Sequence, residues 1–474
     1  MAEQGYGAGP ASRSETGRRR SGDERRMADH QRAVAELAGR YAALPAEQPV
    51  RLAKRGSNLY RPRRRHRGAS LEVRGLDGVL SVDPVARTAE VQGMATYETI
   101  TDATLAHGML PSVVLDCKTI TLGGGVAGTG AESSSFRAGL PHDSILEMDV
   151  LTGDGRVVTA TRDNEHADLF HGMAHSYGSL GYAVRLRVRL EPAKPFVRLR
   201  HVRLNSAREW VSALRRVDAE RQFEGQPVDF VDGVYFDSGA LYLVLATFTD
   251  APPYVSDYTR GAVYYRSIRT RSEDYLSTRD YLWRWDTDLY WTSKLFGLEN
   301  PVLRRVWPRR YRTAAVQRRL QMWFRAGGVT DRVRAALGRP VEWVLQDADL
   351  PVSTVPEFLE FFRREVGISP VWLCPMRLRE PALLYPIEPR QLYVSVGFWW
   401  PVPLRRWQAA DHHNRLIERK ITELGGHKPL YSTAHYTEAE FWALYGGDAY
   451  RKLKAAYDSG GRLPDLYDKC VRGR

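Results

Sequence analysis

The sequence predicts an α+β fold built from two domains. Its 474 residues exceed the length of one ordinary domain. Strand-like and helical patterns follow one another without the regular alternation of a parallel α/β sheet. The polar segment Glu191-Pro-Ala-Lys-Pro195 marks a boundary between the two parts. With 43% hydrophobic and 11% aromatic residues, the chain can bury a large core.

Composition narrows the class of protein. A net charge of +13 favours polyanionic partners such as nucleic acid, anionic lipid or phosphorylated ligands. The three cysteines are far apart, which indicates a reducing compartment and predicts neither a disulfide framework nor a metal site. The sequence contains no run of about 18 apolar residues, so a membrane-spanning helix is not expected. We therefore expect a cytoplasmic protein.

Local signals place the elements of the first domain. Residues 1–27 are rich in Gly, Ser and Arg and predict a disordered basic tail, with Met27 as an alternative start. Helical spacing follows over 31–43, and short strands are expected at 71–73 and 79–82. A helix over 97–106 has Thr96 as its predicted N-cap and ends before Gly108.

Strand patterns complete the first domain and recur in the second. Residues 145–151 and 156–160 flank Thr152-Gly-Asp-Gly, which is typical of a hairpin turn. Residues 180–190 alternate between aliphatic side chains and arginines, which predicts a strand with one wet face. In the second domain we predict strands at 234–236, 241–247 and 391–398, and helices at 355–366 and 415–424.

A glycine-rich segment, 119–139, is the strongest functional signal. Its glycines lie at Gly123, Gly124, Gly125, Gly128 and Gly130. So many glycines favour a close approach of backbone amides to a ligand, usually a diphosphate. The spacing also fits the Gly-x-Gly-x-x-Gly of a Rossmann site, but that motif should open a long helix, which the following serines interrupt. A glycine-rich turn without a ligand is the other alternative.

Several motifs in fixed order carry a family resemblance. After the glycines come Glu132-Ser-Ser-Ser135, Arg137, Asp168-Leu-Phe170 and Gly178-Ser-Leu-Gly181. Together they resemble the PCMH-type FAD-binding domain of the vanillyl-alcohol-oxidase superfamily, and most of all its 24-dehydrocholesterol (delta-24-sterol) reductase branch. The similarity continues through Trp372-Leu-Cys-Pro375, Leu430-Tyr431, Glu440-Phe-Trp442 and Leu466-Tyr-Asp-Lys469.

The resemblance implies a domain plan and a set of FAD contacts. It implies a two-subdomain FAD-binding domain over 28–195, a substrate or cap domain over 196–429, and a C-terminal segment over 430–474 that returns to the flavin. By the same resemblance, amides from Gly124 to Gly130 face the pyrophosphate, whereas Glu132 to Ser135 and Arg137 lie along the flavin. The implied cofactor residues are Ser57, Asn58, Thr121, Gly123, Gly124, Gly125, Gly128, Thr129, Gly130, Glu132, Ser133, Ser134, Ser135, Arg137, Gly178, Ser179 and Gly181.

The chain departs from the superfamily pattern in its first loop. Many members attach flavin through a histidine in an Arg-Gly-Gly-Gly-His-type loop, whereas this chain reads Lys54-Arg-Gly-Ser-Asn-Leu-Tyr-Arg61. Ser57 and Asn58 can still cap a phosphate. Because the histidine is missing, the resemblance implies FAD that is bound non-covalently.

Candidates for proton transfer cluster near the C-terminus. Reduction of an isolated alkene needs hydride on one carbon and a proton donor for the other. By its match to the Leu-Tyr of the sterol-reductase branch, Tyr431 is the first candidate. Lys428, His435 and Tyr436 are the alternates, and a core segment with ordinary hydrogen bonds is the competing interpretation.

A second unusual region, 281–325, interleaves aromatic residues with arginines. This composition suits an anionic membrane interface or nucleic acid, and it equally suits an aromatic core with solvated arginines. Since the resemblance implies a lipid substrate, we expect peripheral membrane contact, at the inner face of the plasma membrane, rather than nucleic acid. The sequence does not indicate an oligomeric state.

The resemblance leads to one functional expectation and two alternatives. We expect an FAD- and NADPH-dependent reductase of a lipid C=C bond, acting on a 10-methylene-fatty-acyl chain, as in actinobacterial relatives of this branch, or on a delta-24-sterol-like side chain. An FAD-dependent oxidase or dehydrogenase of an alcohol or hydroxy acid is the same-fold alternative. A basic membrane- or nucleic-acid-binding protein with a vestigial FAD domain is the alternative from another class.

Overall fold

The computed structural model describes residues 13–54, 59–61, 68–236, 239–327 and 340–473. Helices within these ranges are α1 (Arg13–Ala42), α2 (Tyr97–Leu105), α3 (Leu122–Gly128), α4 (Ser135–Ala138), α5 (Ala167–Gly172), α6 (Ala207–Glu220), α7 (Tyr264–Thr270), α8 (Thr278–Leu282), α9 (Pro301–Val306), α10 (Ala314–Gly327), α11 (Val355–Glu365), α12 (His412–Glu423), α13 (Glu438–Leu444) and α14 (Gly447–Tyr457). None of the described helices is long and apolar enough to cross a membrane.

The strands form two main sheets. The first sheet contains β3 (Val79–Asp83), β4 (Thr88–Gln92), β5 (Met109–Pro111), β6 (Ile145–Thr152), β7 (Val157–Thr161) and β8 (Gly181–Pro192). The second contains β9 (Phe196–Leu204), β12 (Phe230–Tyr235), β13 (Leu241–Thr249), β14 (Glu273–Ser277), β15 (Val341–Pro351), β16 (Val371–Met376) and β17 (Tyr393–Pro403). Two short pairs complete the described strands: β1 (Val50–Ala53) with β2 (Ala69–Glu72), and β10 (Gln222–Phe223) with β11 (Gln226–Pro227). The mixture of helices with antiparallel sheets confirms the predicted α+β class.

The first sheet is organised around β8, and its order is β3-β4-β8-β6-β7 with β5 also paired to β8. The aliphatic side of β8 is buried, as the alternating pattern predicts. Its arginine side is less exposed to solvent than expected, because Arg185 lies among Glu90, Glu147 and Asp149, at 2.5–2.6 Å from each carboxylate. The predicted hairpin of β6 and β7 and the Thr96-capped helix α2 are both confirmed.

The second sheet begins where the first ends. Strand β8 stops at Pro192, and β9 starts the sheet β14-β9-β13-β12-β16-β17-β15 at Phe196. Helices α6, α11 and α12 pack on one face and bury an aliphatic and phenylalanine core. The opposite face carries Trp372, Asp347 and Trp399, and it turns toward the first domain.

Both ends of the chain pack on the first domain. Helix α1 starts at Arg13, so the prediction of disorder is wrong for residues 13–27. The C-terminal segment returns to the first domain, where the Val50 amide of β1 donates to the Arg462 carbonyl at 2.8 Å. Lys454 Nζ donates to the Ser179 carbonyl, also at 2.8 Å. These contacts hold the end of the chain beside the turn at Gly178.

Candidate functional site

A cavity of about 370 Å³ lies between the two sheets. The glycine-rich segment lines one side, and the second sheet lines the other. The C-terminal segment adds Tyr431 and Lys469 to the lining. Residues implied as FAD contacts that do line the cavity are Thr121, Gly123, Gly124, Gly125, Gly128, Thr129, Gly130, Glu132, Gly178 and Gly181. Ser57 and Asn58 lie outside the described residues.

The glycine-rich segment forms the short helix α3, and its glycines chiefly permit tight packing. A Cβ on Gly123 would lie 2.9 Å from the Gly93 carbonyl oxygen, and one on Gly125 would lie 2.9 Å from the Tyr97 ring. Real side chains do not tolerate such distances without movement of the backbone or the ring. The glycines therefore bring the helix against the first sheet at the cavity wall.

The amides of this helix are largely occupied by the helix itself. The Gly124 amide donates to Thr121 Oγ1 at 3.2 Å, and the Gly125 amide donates to the Thr121 carbonyl at 2.8 Å. The Thr129 amide donates to the Gly125 carbonyl at 2.9 Å. The prediction that these three amides face a pyrophosphate is therefore wrong, although the residues do line the cavity.

The three serines and the arginine that follow lie outside the cavity. Ser133 Oγ is 3.0 Å from the Tyr281 hydroxyl, Ser134 Oγ donates to the Ser112 carbonyl, and Ser135 Oγ accepts from the Glu132 amide. Arg137 forms two 2.7 Å hydrogen bonds with Glu191 and one with the Asp229 carbonyl. Ser179 donates to the Ser176 carbonyl. Their predicted contacts with flavin are corrected: these side chains join elements of the protein to one another.

Two carboxyl groups meet inside the cavity on the glycine side. Glu132 Oε1 accepts from the Asp116 amide at 2.7 Å, and the two side chains are also hydrogen-bonded. Burial raises the pKa of Glu132 well above its ordinary value, and the neighbouring Asp116 raises it further. Burial and the neighbouring carboxyl thus favour the protonated form of Glu132, and the hydrogen bond joins the two groups into a pair.

The opposite wall carries a second pair of carboxyls on β15. Asp347 and Asp349 are two residues apart, so they share one face of the strand. Their partners across the sheet are Gly397 and Ser395 of β17. Burial raises the pKa of Asp349 to about 6, and the Tyr385 hydroxyl donates to this carboxyl. Sequence reasoning missed both residues, although Asp-x-Asp inside an apolar strand was a signal that could have found them.

Tyr431 is the predicted catalytic residue that reaches the cavity. Trp399 Nε1 donates to its hydroxyl oxygen at 2.8 Å, and the hydroxyl also bonds to Asp347. Burial raises the pKa of Tyr431 well above its ordinary value, and the charge of Asp347 adds to this shift. The Tyr60 amide holds the backbone by donating to the Tyr431 carbonyl at 2.9 Å. The hydroxyl is therefore a fixed, protonated donor at neutral pH.

The three alternates lie around Glu418, away from the cavity. Lys428 Nζ donates to Glu418 Oε1 and to the Thr433 carbonyl, both at 2.6 Å. The His435 amide also donates to Glu418. Tyr436 is buried in the apolar core and does not line the cavity. The prediction of Lys428, His435 and Tyr436 as alternates is corrected because their partners are structural.

The far end of the cavity is basic. Four cationic side chains line it: Arg51, Lys54, Arg61 and Lys469. Arg61 Nη2 and Arg51 Nε are buried and have no hydrogen-bond partner within the described part of the chain. None of these four residues was predicted from the sequence as a cofactor contact, although Lys469 belongs to the Leu466-Tyr-Asp-Lys469 motif that carries part of the family resemblance.

Buried aromatic side chains from the aromatic–arginine region cover the cavity. Tyr290 packs against Trp399, with ring centroids 4.3 Å apart, and against Trp372 at 5.3 Å. Leu289 and Tyr290 both have positive φ angles, 41° and 62°, which is a strained conformation for such residues. For this part of the region the aromatic-core interpretation is confirmed, and the membrane-facing interpretation is wrong.

Comparison with known proteins agrees with this geometry. A family described as "FAD binding domain" matches residues 28–161. The Delta(24)-sterol reductase of Arabidopsis thaliana is 25% identical over 438 residues, which cover 84% of this chain and 75% of that protein. The Homo sapiens Delta(24)-sterol reductase is 26% identical over 415 residues, or 83% and 76% of the two chains. The chain is therefore an FAD-binding oxidoreductase, and it resembles the delta-24-sterol reductases.

The similarity of this oxidoreductase to a cytokinin dehydrogenase covers only part of the chain. Cytokinin dehydrogenase 6 of Oryza sativa subsp. japonica is 33% identical over 178 residues, only 36% of this chain. The two sterol reductases instead match over 84% and 83% of this chain. The delta-24-sterol-reductase-like assignment therefore depends on the whole chain and not on the cofactor domain alone.

The residues that line the cavity fit FAD. One end offers buried guanidinium nitrogens of Arg51 and Arg61 that have no partner among the described residues, which suits the anionic diphosphate. The other end offers flat aromatic side chains and polar groups, which suit an isoalloxazine ring. Between these groups, the wall of this FAD-binding oxidoreductase is lined by glycines, which have no side chain to project into the cavity.

Proposed function

We propose that the protein reduces an isolated C=C bond of a lipid, with FAD as its non-covalent cofactor and NADPH as the electron donor. We further propose a 10-methylene-fatty-acyl substrate, with a delta-24-sterol-like side chain as the alternative substrate. The observation that carries the proposal is the Tyr431 hydroxyl, held as a proton donor inside an aromatic-walled cavity. The sterol reductases that resemble this chain support a lipid alkene as the substrate.

Each wall has a role in this proposal. When bound, FAD supplies hydride transfer to one alkene carbon, after being reduced by NADPH. Tyr431 then gives its proton to the other carbon, so the alkene gains one hydride and one proton and NADPH leaves as NADP⁺. Trp372, Trp399 and Tyr290 exclude water and hold the apolar chain. Asp347 accepts the Tyr431 hydrogen bond and orients it.

Anaerobic stopped-flow measurements test this function. We expect NADPH to bleach the flavin absorbance, and a methylene-fatty-acyl substrate then to restore it with formation of the saturated product. A delta-24-sterol in place of the acyl substrate separates the two substrate classes. Reoxidation by neither lipid would contradict the proposal.

A second function is favoured by the Asp116–Glu132 pair. An alcohol oxidase needs a base for the hydroxyl proton, and a carboxyl pair that lines the cavity offers groups for that role. For such an oxidase, an alcohol or hydroxy acid would bleach the flavin and NADPH would not. The same stopped-flow experiment therefore distinguishes the two functions. If the purified protein bound no flavin, a vestigial FAD domain on a binding protein would be the remaining interpretation.

We also propose that helices α9 and α10 dock on the inner face of an anionic membrane. Between residues 300 and 327 the sequence has eight arginines and no carboxylate. Val302, Val306 and Trp323 are 70%, 71% and 68% exposed. Apolar side chains among arginines are typical of a peripheral membrane surface. The same region carries the aromatic cover of the cavity, so docking would bring the cavity close to its lipid substrate.

Vesicle co-sedimentation tests this surface. We expect binding to phosphatidylglycerol vesicles, weak binding to phosphatidylcholine vesicles, and loss of binding in Val306→Ser/Trp323→Ser. Trp407→Ser is the matched control, because Trp407 is 71% exposed, follows Arg405 and Arg406, and lies outside this region. Equal loss in the control variant, or no vesicle binding at low salt, would argue against a docking surface on these helices.

A further inference from the structure

We propose that the FAD diphosphate is held by side-chain cations from two distant parts of the chain, Lys54 and Arg61 near the start and Lys469 near the end, rather than by the amides of the glycine-rich segment. Arg51 lies at the same end of the cavity. This proposal rests on FAD binding alone and does not depend on which lipid the enzyme reduces.

The lysines lie beside the two glycine turns that line the cavity. A Cβ placed on Gly178 would lie 3.7 Å from Lys469 Nζ, and one placed on Gly124 would lie 4.0 Å from Lys54 Nζ. The ammonium groups therefore lie beside the turns where the sequence resemblance implied backbone contacts. The Gly124 and Gly125 amides each have one N–H and already donate it within the loop, whereas an ammonium group has three N–H donors and a full positive charge.

Arg61 supplies the second, independent observation. Its side chain lies 5.0 Å over the Tyr177 ring, and the residue is only 4% exposed. Nη1 donates to the Lys469 carbonyl at 3.0 Å and to Cys470 Sγ, but Nη2 has no partner among the residues that the structure describes. A buried guanidinium nitrogen without an acceptor is costly. A phosphate oxygen at this position would satisfy it.

The charges around Lys469 also favour an anion at this end of the cavity. Its ammonium donates to the Tyr177 carbonyl at 2.5 Å. Burial lowers the pKa of Lys469 to about 7, and the cations Arg61, Arg51 and Lys54 lower it further, while the Cys470 thiol acts in the opposite direction. A bound diphosphate would reverse the sign of the local field. The pKa of Lys469 must then rise, so FAD binding takes up a proton near pH 8.

The expected rise in the pKa of Lys469 on FAD binding determines how FAD affinity depends on pH. Below about pH 7 the lysine is already charged in the free protein, and the full attraction is present. As pH rises above 7, part of the binding free energy is used to protonate Lys469. We therefore expect FAD affinity to fall between pH 7 and 9 in the unmodified protein and to be flatter in Lys469→Arg.

The first test compares FAD with riboflavin, which lacks the diphosphate. Flavin-stripped Lys469→Gln should bind FAD about 10- to 100-fold more weakly, as expected for loss of a hydrogen bond to a charged group. Its affinity for riboflavin should be unchanged, and Lys469→Arg should retain most of the FAD affinity. Lys452→Gln, an exposed lysine on α14, controls for the change in net charge.

Calorimetry in buffers of different ionisation enthalpy gives the second readout. At pH 8, titration of the unmodified protein with FAD in HEPES and in Tris should reveal proton uptake, and Lys469→Gln should abolish it. An equal loss of FAD and riboflavin affinity would mean that Lys469 is only structural. Unchanged FAD affinity in Lys469→Gln, or no proton uptake by the unmodified protein, would overturn the proposal. If Lys469→Gln does not fold, Lys54→Gln tests the same difference between FAD and riboflavin.

Discussion

Replacing Tyr431 with phenylalanine is expected to lower turnover by about 10²- to 10⁴-fold, the usual contribution of a positioned general acid. The substitution removes the hydroxyl that Trp399 and Asp347 hold, but it keeps the ring beside Tyr60. FAD content and the rate of flavin reduction by NADPH should be unchanged, because neither step uses this proton. Single-turnover reoxidation by the lipid measures the affected step.

The matched control for this prediction is Tyr436→Phe. Tyr436 is a buried tyrosine five residues away that does not line the cavity. Its hydroxyl should be dispensable for reoxidation. Full turnover in Tyr431→Phe would show that the proton comes from another group, of which the Asp116–Glu132 pair is the nearest candidate by chemistry.

The largest effect on stability is expected at Asp232. Its carboxylate accepts from Arg284 at 2.7 Å, and both side chains are 1% exposed. The Arg284 guanidinium also lies 4.3 Å from the Tyr281 ring centre. Because Asp232→Leu leaves this cation buried without its counter-charge, we expect a loss of about 3–5 kcal/mol in the free energy of unfolding. Chemical denaturation followed by tryptophan fluorescence measures it.

Two comparisons sharpen this prediction. The exposed pair Arg279–Asp102 has the same residue types and a 2.7 Å contact, so Asp102→Leu should cost at most about 1 kcal/mol. The double variant Asp232→Leu/Arg284→Met should regain much of the lost stability, since no unpaired charge remains buried. If Asp102→Leu were as damaging as Asp232→Leu, burial would not be the cause.

The elements of the fold were largely predictable because their signals are local. Thr96 caps α2 through its own side chain, and the turn at residues 152–155 joins two strands that pair with each other. The alternation along β8 likewise reflects which side chains are buried. The order of strands in the two sheets was not predictable, because β9 pairs with both β13 and β14, and β16 pairs with β12 and β17, across long stretches of sequence.

The candidate site was predictable only in part. The motif order around the glycines correctly indicated an FAD-binding domain. It did not indicate that the serines serve the protein interior, because their partners Ser112 and Tyr281 come from distant segments. The cations at the far end were missed for the same reason: Arg61 and Lys469 are 408 positions apart in the sequence.

The sequence by itself determined the cofactor class, the α+β composition and a short window, 427–436, for the proton donor. The motif match already placed Tyr431 first within that window. Only the tertiary structure separated it from the alternates, because Trp399 and Asp347 reach it from neighbouring strands, whereas Lys428 is already paired with Glu418. Motif order depends on residue types along the chain. Protonation and hydrogen bonding depend on which groups the fold buries together, and a linear pattern does not contain that information.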